Sequence, residues 1–248
     1  MKQIWVLALD SFLENIWNRI FILVAIFGGL LIYTSLLLGV LAADQELRVL
    51  MDSGLALIEI VTLIAGLYFS ATLFLKEIET KTIYLILSRP LNRLQYLLGR
   101  VLGLLLSLVL IMLVMSGLHV ILLLLHHWNW QDSYLLSLLG IFLKVLMVTA
   151  AAVFFSLLST SSIAAIVFSG SLWTLGNFTP EIRFMTQKSS GLAGVLGQAA
   201  LFLFPHFEVL NWSGNFNGAI ILSGASYALL YSSVFLALSW LILRKKEF

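Results

Sequence analysis

The chain has 248 residues, of which 61% are hydrophobic and only 10% are charged. A soluble domain carries roughly 25% charged residues because its surface faces water, so most of this surface is expected to face lipid. The formal charge of +2 is too small to indicate a nucleic-acid partner. The absence of cysteine excludes a disulfide framework and thiolate chemistry. No linker or fixed-period repeat divides residues 1–248, which predicts a single transmembrane domain.

Residues 1–19 predict an amphipathic helix. The apolar residues that recur at helical spacing are Trp5, Ala8, Leu9, Phe12, Leu13, Ile16 and Trp17. Asp10, Glu14 and Asn18 lie opposite them. Such a stripe is typical of a helix in the headgroup region of a bilayer, with its tryptophans at the interface. A cytoplasmic helix packed on a protein partner is the alternative.

Six apolar segments follow, and each is a predicted transmembrane helix. They are 20–41, 55–75, 97–125, 134–158, 163–178 and 219–243. A helix needs about 20 apolar residues to cross a bilayer. The fifth segment is shorter, but it carries no charge. The predicted fold class is therefore an all-α membrane protein with six transmembrane helices.

The placement of lysine and arginine predicts the orientation. With six spans, ten of the fourteen basic residues fall on the side that holds both termini. Cytoplasmic loops carry the excess of basic residues, so both termini are expected in the cytoplasm. The expected location of the chain is the inner membrane of the cell. On the outer side, segment 179–217 contains an apolar run, 191–204, that is too short to cross. It predicts a short re-entrant or outer helix before the last span.

The loop between the second and third spans is KEIETKTIYLILSRPLNRLQYLLGR, from Lys76 to Arg100. It continues the second span as a charged helix, in which Glu77 and Lys81 have the spacing of a helix-surface pair. Pro90 breaks that helix, and a new helix is expected to start near Asn92. The positive-inside rule explains the basic residues of the loop. It does not explain the order of charged helix, apolar turn and proline.

This arrangement resembles the permease subunits of type-2 ABC transporters, an exporter family. In that family a glutamate-containing helix after the second span leads to a small–x–Pro–x–x–Arg element and then to a Gly–Lys/Arg pair. The matching residues are Glu77, Thr82, Ser88, Pro90, Arg93, Gly99 and Arg100. Lys81 stands where glycine is frequent, and Arg100 stands for the commoner lysine. The layout of the whole chain is similar as well.

The resemblance implies that two permeases pair in the membrane and bind two cytoplasmic ABC ATPase subunits. A homodimer is the expected pairing, because closed two-fold symmetry is the common default, and a heterodimer stays open. Segment 76–93 would be the coupling segment that docks on the ATPase. Its contact residues would be Glu77, Glu79, Thr82, Ser88, Arg89, Pro90 and Arg93. The sequence has no G-x-x-x-x-G-K-[ST] phosphate loop. ATP and Mg²⁺ would therefore be bound by the partner, and this chain would be neither an enzyme nor the holder of a cofactor.

Glu59 and Lys144 are charged residues inside predicted spans, where charge is costly and is usually paired or functional. We expect them to form a buried pair on the outer half of the bundle or to line a polar cavity. Four histidines fall toward the outer side, namely His119, His126, His127 and His206. Their pattern indicates interfacial residues beside an aromatic belt rather than a metal or haem site.

Two other functions stay open. An ion- or proton-coupled secondary transporter would use Glu59, Lys144 and the histidines, but the sequence shows neither inverted repeats nor a glycine or proline break at mid-span. A mechanical membrane subunit would drive an extracytoplasmic protein without moving cargo, and the short outer loops suit that role too. Apolar spans would suit lipids, peptides or no cargo, so the sequence leaves the substrate open.

Overall fold

A computed structural model describes residues 2–17, 26, 28–30, 33, 37, 46–79, 92–188, 192–212 and 217–245 of the chain. Every regular element among these residues is helical, as predicted, with no β-strand. The elements are α1 (Lys2–Trp17), α2 (Glu46–Glu79), α3 (Arg93–Leu125), α4 (Asp132–Leu158), α5 (Ser162–Asn177), α6 (Thr179–Lys188), α7 (Leu192–Leu203), a 3-10 helix (Phe207–Leu210) and α8 (Gly218–Lys245).

Among the described residues, four helices are long and apolar enough to cross a membrane, which gives the chain the character of a multi-pass α-helical membrane protein. Their apolar stretches are Leu47–Glu77, Arg93–Leu125, Asp132–Leu158 and Gly218–Lys245. The predicted span 20–41 falls largely outside the described residues. Helix α5 has 16 residues, fewer than the about 20 that a full crossing takes. The number of six spans therefore stays a prediction.

Several helix ends meet at one end of the bundle, hereafter the basic end. Arg100 near the start of α3 pairs with Glu77 near the end of α2 and contacts Asp10 of α1. Arg93, the first residue of α3, contacts the backbone at the end of α8. Helix α1 and the end of α8 thus lie at the same end of the molecule.

The other end of the bundle, hereafter the opposite end, holds the turn from α3 to α4 at residues 126–131. Helix α5 connects the two ends. Its first residue, Ser162, lies near Lys76 at the basic end. Near its last turn, Gly176 lies against Phe207, because a Cβ there would come within 2.5 Å of the ring. The direction of α5 is therefore the one that a transmembrane segment at this place in the chain needs.

Helices α2, α3 and α4 form the centre of the bundle. Helix α4 packs on α2 and α8, and α2 also packs on α3 and α5. Their buried side chains form one apolar core, which includes Ile58, Phe69 and Ile111. Gly66 of α2 faces Thr149 of α4, a small-residue contact that lets the two backbones approach closely. The leucines and valines exposed on α3 and α8 suit a surface that faces lipid.

Helix α3 begins where the sequence predicts it. Asn92 is its N-cap, with an extended backbone, and its side chain accepts a hydrogen bond from the Leu94 amide at 3.4 Å. The side chain of Gln95 accepts one from the Asn92 amide at 3.3 Å. This reciprocal capping box satisfies backbone donors that the first turn of a helix leaves unpaired. It fixes the position of Arg93 and Arg100.

The described parts of segment 179–217, residues 179–188, 192–212 and 217, lie at the opposite end of the bundle. Helices α6 and α7 pack on each other, and α7 covers most of the predicted short run 191–204. The chain then turns inward, where Phe207, Leu210 and Trp212 are buried. Gly224 of α8 makes room for Trp212, since a Cβ there would lie 2.8 Å from the indole. The side chains of Phe207–Trp212 thereby fix the entry of α8.

Candidate functional site

Only part of the predicted coupling segment is described. Glu77 and Arg93 have described side chains, at the end of α2 and the start of α3. The side chain of Glu79 and residues 80–91, which include Thr82, Ser88, Arg89 and Pro90, lie outside the described residues. The structure therefore describes the two helix ends that flank residues 80–91 in the sequence.

A buried arginine lies at the centre of the contacts between these helix ends. Arg100 is 4% exposed, and its guanidinium forms an ion pair with Glu77. Its Nη1 donates a hydrogen bond to Ser11 Oγ at 2.7 Å. The same atom lies 3.5 Å from Asp10 Oδ2 and 3.6 Å from Glu14 Oε2. Arg100 therefore joins α1, α2 and α3 through one side chain.

Two further residues complete this group. The hydroxyl of Tyr96 donates to Glu77 Oε2, and Lys76 Nζ donates to Glu14 Oε1 at 2.7 Å. We call the whole set the Arg100 cluster; it consists of Asp10, Ser11, Glu14, Lys76, Glu77, Tyr96 and Arg100. Three carboxylates face two cations, so most of the charge is compensated internally. A buried arginine needs such partners, because an unpaired buried charge is strongly destabilising.

Helix α1 reaches the cluster because α3 offers it a groove of small residues. Gly99, Gly103 and Ser107 recur every four residues, a spacing that places them on one face of α3. A Cβ at Gly99 would lie 2.7 Å from Leu7 Cβ, and one at Gly103 would lie 2.5 Å from Ser11 Cβ. The pairs run in the same order along both helices, so α1 lies alongside α3. Small residues at this spacing are typical of close helix packing in membranes.

The face that α1 turns toward α3 shares Ala8 with the predicted apolar stripe and adds the polar residues Ser11 and Asn15. Ala8, Ser11 and Asn15 are buried against α3, and Asn15 donates to Ser107 Oγ at 3.1 Å. Other residues of the predicted stripe, Trp5 and Leu9, are exposed. Helix α1 is therefore packed on protein along a small, polar face and presents apolar side chains outward.

The two described coupling residues have contacts within this chain, and their contact with a partner protein stays a prediction. Glu77 is 7% exposed, and its contacts with Arg100 and Tyr96 lie within this chain. Arg93 Nη1 donates to the carbonyl oxygens of Leu243 at 2.7 Å and Arg244 at 2.9 Å. A cation at this position stabilises the end of α8, where helix carbonyls lack partners. Both residues are positioned to join helices within the chain.

Glu59 and Lys144 form an ion pair near the opposite end. Lys144 Nζ donates to Glu59 Oε2 at 3.1 Å, and Trp173 Nε1 donates to Glu59 Oε1 at 3.4 Å. The pair lines a cavity of about 230 Å³ between α2, α4 and the stretch after the 3-10 helix. The sequence left a buried pair and a polar cavity as alternatives for Glu59 and Lys144. In the structure the two residues form a pair and also line a cavity.

The four histidines are spread over different surroundings. The ring of His119 is buried between Tyr134 Oη at 3.1 Å and the Leu50 carbonyl at 3.3 Å. Burial and the positive charge of Arg183 lower the pKa of His206 below its ordinary value. Within the described ranges, no three His, Cys, Asp or Glu residues converge as metal ligands.

The Gly99–Gly103–Ser107 groove is the feature that the sequence reasoning missed. The four-residue spacing of small residues on a predicted span was a readable signal, although it does not say which helix binds there. No protein-family model matches the chain, and a search of curated proteins finds no match. The described part of the chain is thus a multi-pass α-helical membrane protein whose basic end is organised around one buried arginine.

Proposed function

We propose that this chain is the membrane-spanning permease subunit of an ATP-driven ABC exporter. In this proposal it forms a homodimer, and a separate cytoplasmic ATPase, present in two copies, binds and hydrolyses ATP. Residues 76–93 transmit the movement of the ATPase to the transmembrane helices. The basic end, with both termini, faces the cytoplasm of the inner membrane.

The Arg100 cluster is the observation that carries this proposal. Its residues flank segment 80–91 in the sequence, since Glu77 precedes the segment and Arg100 follows it. The cluster ties these two points to each other and to α1. Arg93 adds the end of α8. A force on the segment would therefore act on α1, α2, α3 and α8 together, which is what a coupling element between an ATPase and a bundle has to achieve.

Cysteine cross-linking tests the proposal directly. The chain contains no cysteine, so an introduced one is its only thiol. With Thr82→Cys we expect a cross-link to a copurifying protein that has a phosphate loop and hydrolyses ATP. Met185→Cys is the matched control, because Met185 is exposed on α6 at the opposite end. If the native complex contains no nucleotide-hydrolysing subunit, or if only Met185→Cys cross-links to it, the proposal fails.

An ion- or proton-coupled transporter is the second candidate, and the Glu59–Lys144 pair favours it. Transporters of that class place charged groups within the membrane, where they bind the coupling ion. The two candidates differ in their energy source. Transport by the purified chain alone in proteoliposomes, driven by a pH or sodium gradient without ATP, would establish the second candidate instead of the first.

A mechanical subunit without cargo is the third candidate. The exposed apolar residues of α6 and α7 at the opposite end favour it, since they offer a surface for an extracytoplasmic protein. They include Phe184, Met185, Val195, Leu196 and Phe202. In this case ATP hydrolysis in the native complex would persist without movement of any substrate. Loss of these apolar side chains would then abolish the activity of the outer protein.

A further inference from the structure

The cavity beside the Glu59–Lys144 pair has an unequal distribution of hydrogen-bonding groups. Lys144 carries three N–H donors, and Glu59 Oε2 is the partner of its ammonium among the described residues. Its remaining donors are next to a cavity of about 230 Å³. A buried ammonium is costly to leave unsatisfied. The inner part of the cavity therefore favours an oxygen acceptor.

Asp52 gives the outer part of the cavity the opposite preference. It lies seven residues before Glu59 on α2, about 10 Å along the helix at 1.5 Å per residue, and it lines the same cavity. Its carboxylate is exposed and makes no ion pair with any residue in the described part of the chain. This end of the cavity favours a cation that can donate hydrogen bonds.

The charges together disfavour a simple anion. Asp52, Glu59 and Lys144 sum to a formal charge of −1, and Glu59 lies next to the ammonium that an anion would contact. A simple cation, in turn, would leave the donors of Lys144 unused. A dipolar molecule satisfies both ends, because its anionic oxygen faces Lys144 while its ammonium faces Asp52. Charge-assisted hydrogen bonds of this kind are the stronger ones.

The size of the cavity limits the ligand. Ligand pockets for drug-sized molecules hold roughly 300–1,000 Å³, and this cavity is smaller. Trp212 supplies an apolar wall, while Ser137 and Asn211 add polar groups. The ligand is therefore small, with only a few bonds between its two charges.

We infer that this cavity at the opposite end binds a small dipolar group, an ammonium and an anionic oxygen a few bonds apart. Free α-amino acids carry this group, and so does the phosphoethanolamine headgroup of a membrane lipid. The inference does not depend on the ATPase partner, because it concerns binding to this chain alone.

Calorimetric titration of the purified full-length chain in maltoside detergent tests it. The dipolar probes are glycine, free phosphoethanolamine and a short-chain phosphatidylethanolamine, and the single-charge probes are methylammonium and acetate. At least one dipolar probe should bind saturably at millimolar concentration, with both single-charge probes at least tenfold weaker. Binding of the lipid alone assigns the headgroup source, and binding of a free probe assigns a soluble source.

Variants that leave the ion pair intact make the test specific to the cavity. Asp52→Asn should weaken binding of the dipolar probe about tenfold, in line with the loss of a hydrogen bond to a charged group. Ser137→Phe should abolish binding by filling the cavity. Asp132→Asn is the matched control, because Asp132 is exposed at the same end but does not line the cavity. Binding should be unchanged in that variant.

Three outcomes overturn the inference. One is the absence of saturable binding with every dipolar probe. Another is methylammonium binding as tightly as the best dipolar probe, which makes the cavity a simple cation site. The third is an affinity that Asp52→Asn leaves unchanged. Each of these results leaves the proposal about the ATPase untouched, so the two can fail separately.

Discussion

Arg100 shows why arginine suits a buried position that joins three helices. Its planar guanidinium carries five donors in a fixed fork. That fork contacts Glu77 of α2 and, 89 positions away in sequence, Ser11 of α1. A lysine ammonium is a compact point charge and could not keep both contacts in the same geometry. The arginine side chain is therefore part of how α1 is attached.

Removal of the buried carboxylate should expose the importance of this pair. Glu77→Gln leaves Arg100 buried without its closest counter-charge, and we expect a loss of about 3 kcal/mol in the free energy of unfolding. Denaturant unfolding in detergent micelles measures this. Asp10→Asn is the control, since the Asp10 side chain is 69% exposed and should contribute less than about 1 kcal/mol. Equal losses in both variants would contradict the assignment.

A double-mutant cycle should show that Glu59 and Lys144 act as a pair. Each of Glu59→Gln and Lys144→Met removes one partner of the 3.1 Å contact. We expect the double variant to be more stable than the sum of the single losses predicts, by at least about 1 kcal/mol, as contacting residues couple. Additive losses in the unfolding free energy would show that the two charges act independently.

At the scale of elements, the contact between α1 and α3 depends on the glycines of the α3 groove, Gly99 and Gly103. At Gly103, a Cβ would lie 2.5 Å from Ser11 Cβ, whereas at Gly117 on the same helix it would meet nothing within 4 Å. We expect Gly103→Ala to separate the helices, with a loss of roughly 1–3 kcal/mol from overpacking. Gly117→Ala should be neutral or slightly stabilising, because alanine favours a helix over glycine.

The thiol of an Ala8→Cys variant reports on this separation. Ala8 is fully buried, so its cysteine should react slowly with a maleimide in the Gly117→Ala background. In the Gly103→Ala background it should react at least several times faster. Equal rates in the two backgrounds would mean that α1 tolerates the added methyl group without leaving α3.

The elements that sequence predicts well are those with a local signal. Long apolar runs predict α2, α3, α4 and α8, and the helix break at Pro90 predicts a start of α3 near Asn92. The docking face of α1 did not follow, because hydrophobicity indicates its apolar stripe while the contact also uses the polar residues Ser11 and Asn15. The inward position of Glu77 was missed for a related reason: its partner Arg100 is reached only when two helices pack.

For the whole molecule, the two ends differ in charge and in exposed surface. The basic end gathers Arg93, Arg100, Arg244 and Lys245 with helix α1, while the opposite end presents the apolar side chains of α6 and α7. If the bundle crosses a membrane, the positive-inside rule places the basic end in the cytoplasm. Both ends of the described chain then face the same compartment.

Single-cysteine labelling in intact cells should show that α1 and the end of α8 face one compartment and that α6 faces the other. Gln3→Cys on α1 and Lys245→Cys on α8 should react with a membrane-impermeant maleimide only after permeabilisation. Met185→Cys on α6 should react at once. All three positions are exposed, so burial does not limit their reaction. Labelling of all three positions without permeabilisation would contradict the shared orientation of α1 and α8.

The groove on α3 has a consequence for biosynthesis. Helix α1 leaves the ribosome before α3, since Gly99 and Gly103 follow almost ninety residues later. At 5–20 residues per second, that delay lasts roughly 5–20 s. During this time Asp10 and Glu14 have no Arg100 to contact, and the apolar stripe of α1 is the feature that can hold the nascent helix at the membrane. When α3 inserts, Arg100 comes to lie beside the carboxylates of Asp10 and Glu14. Its positive charge is therefore compensated as soon as α3 inserts.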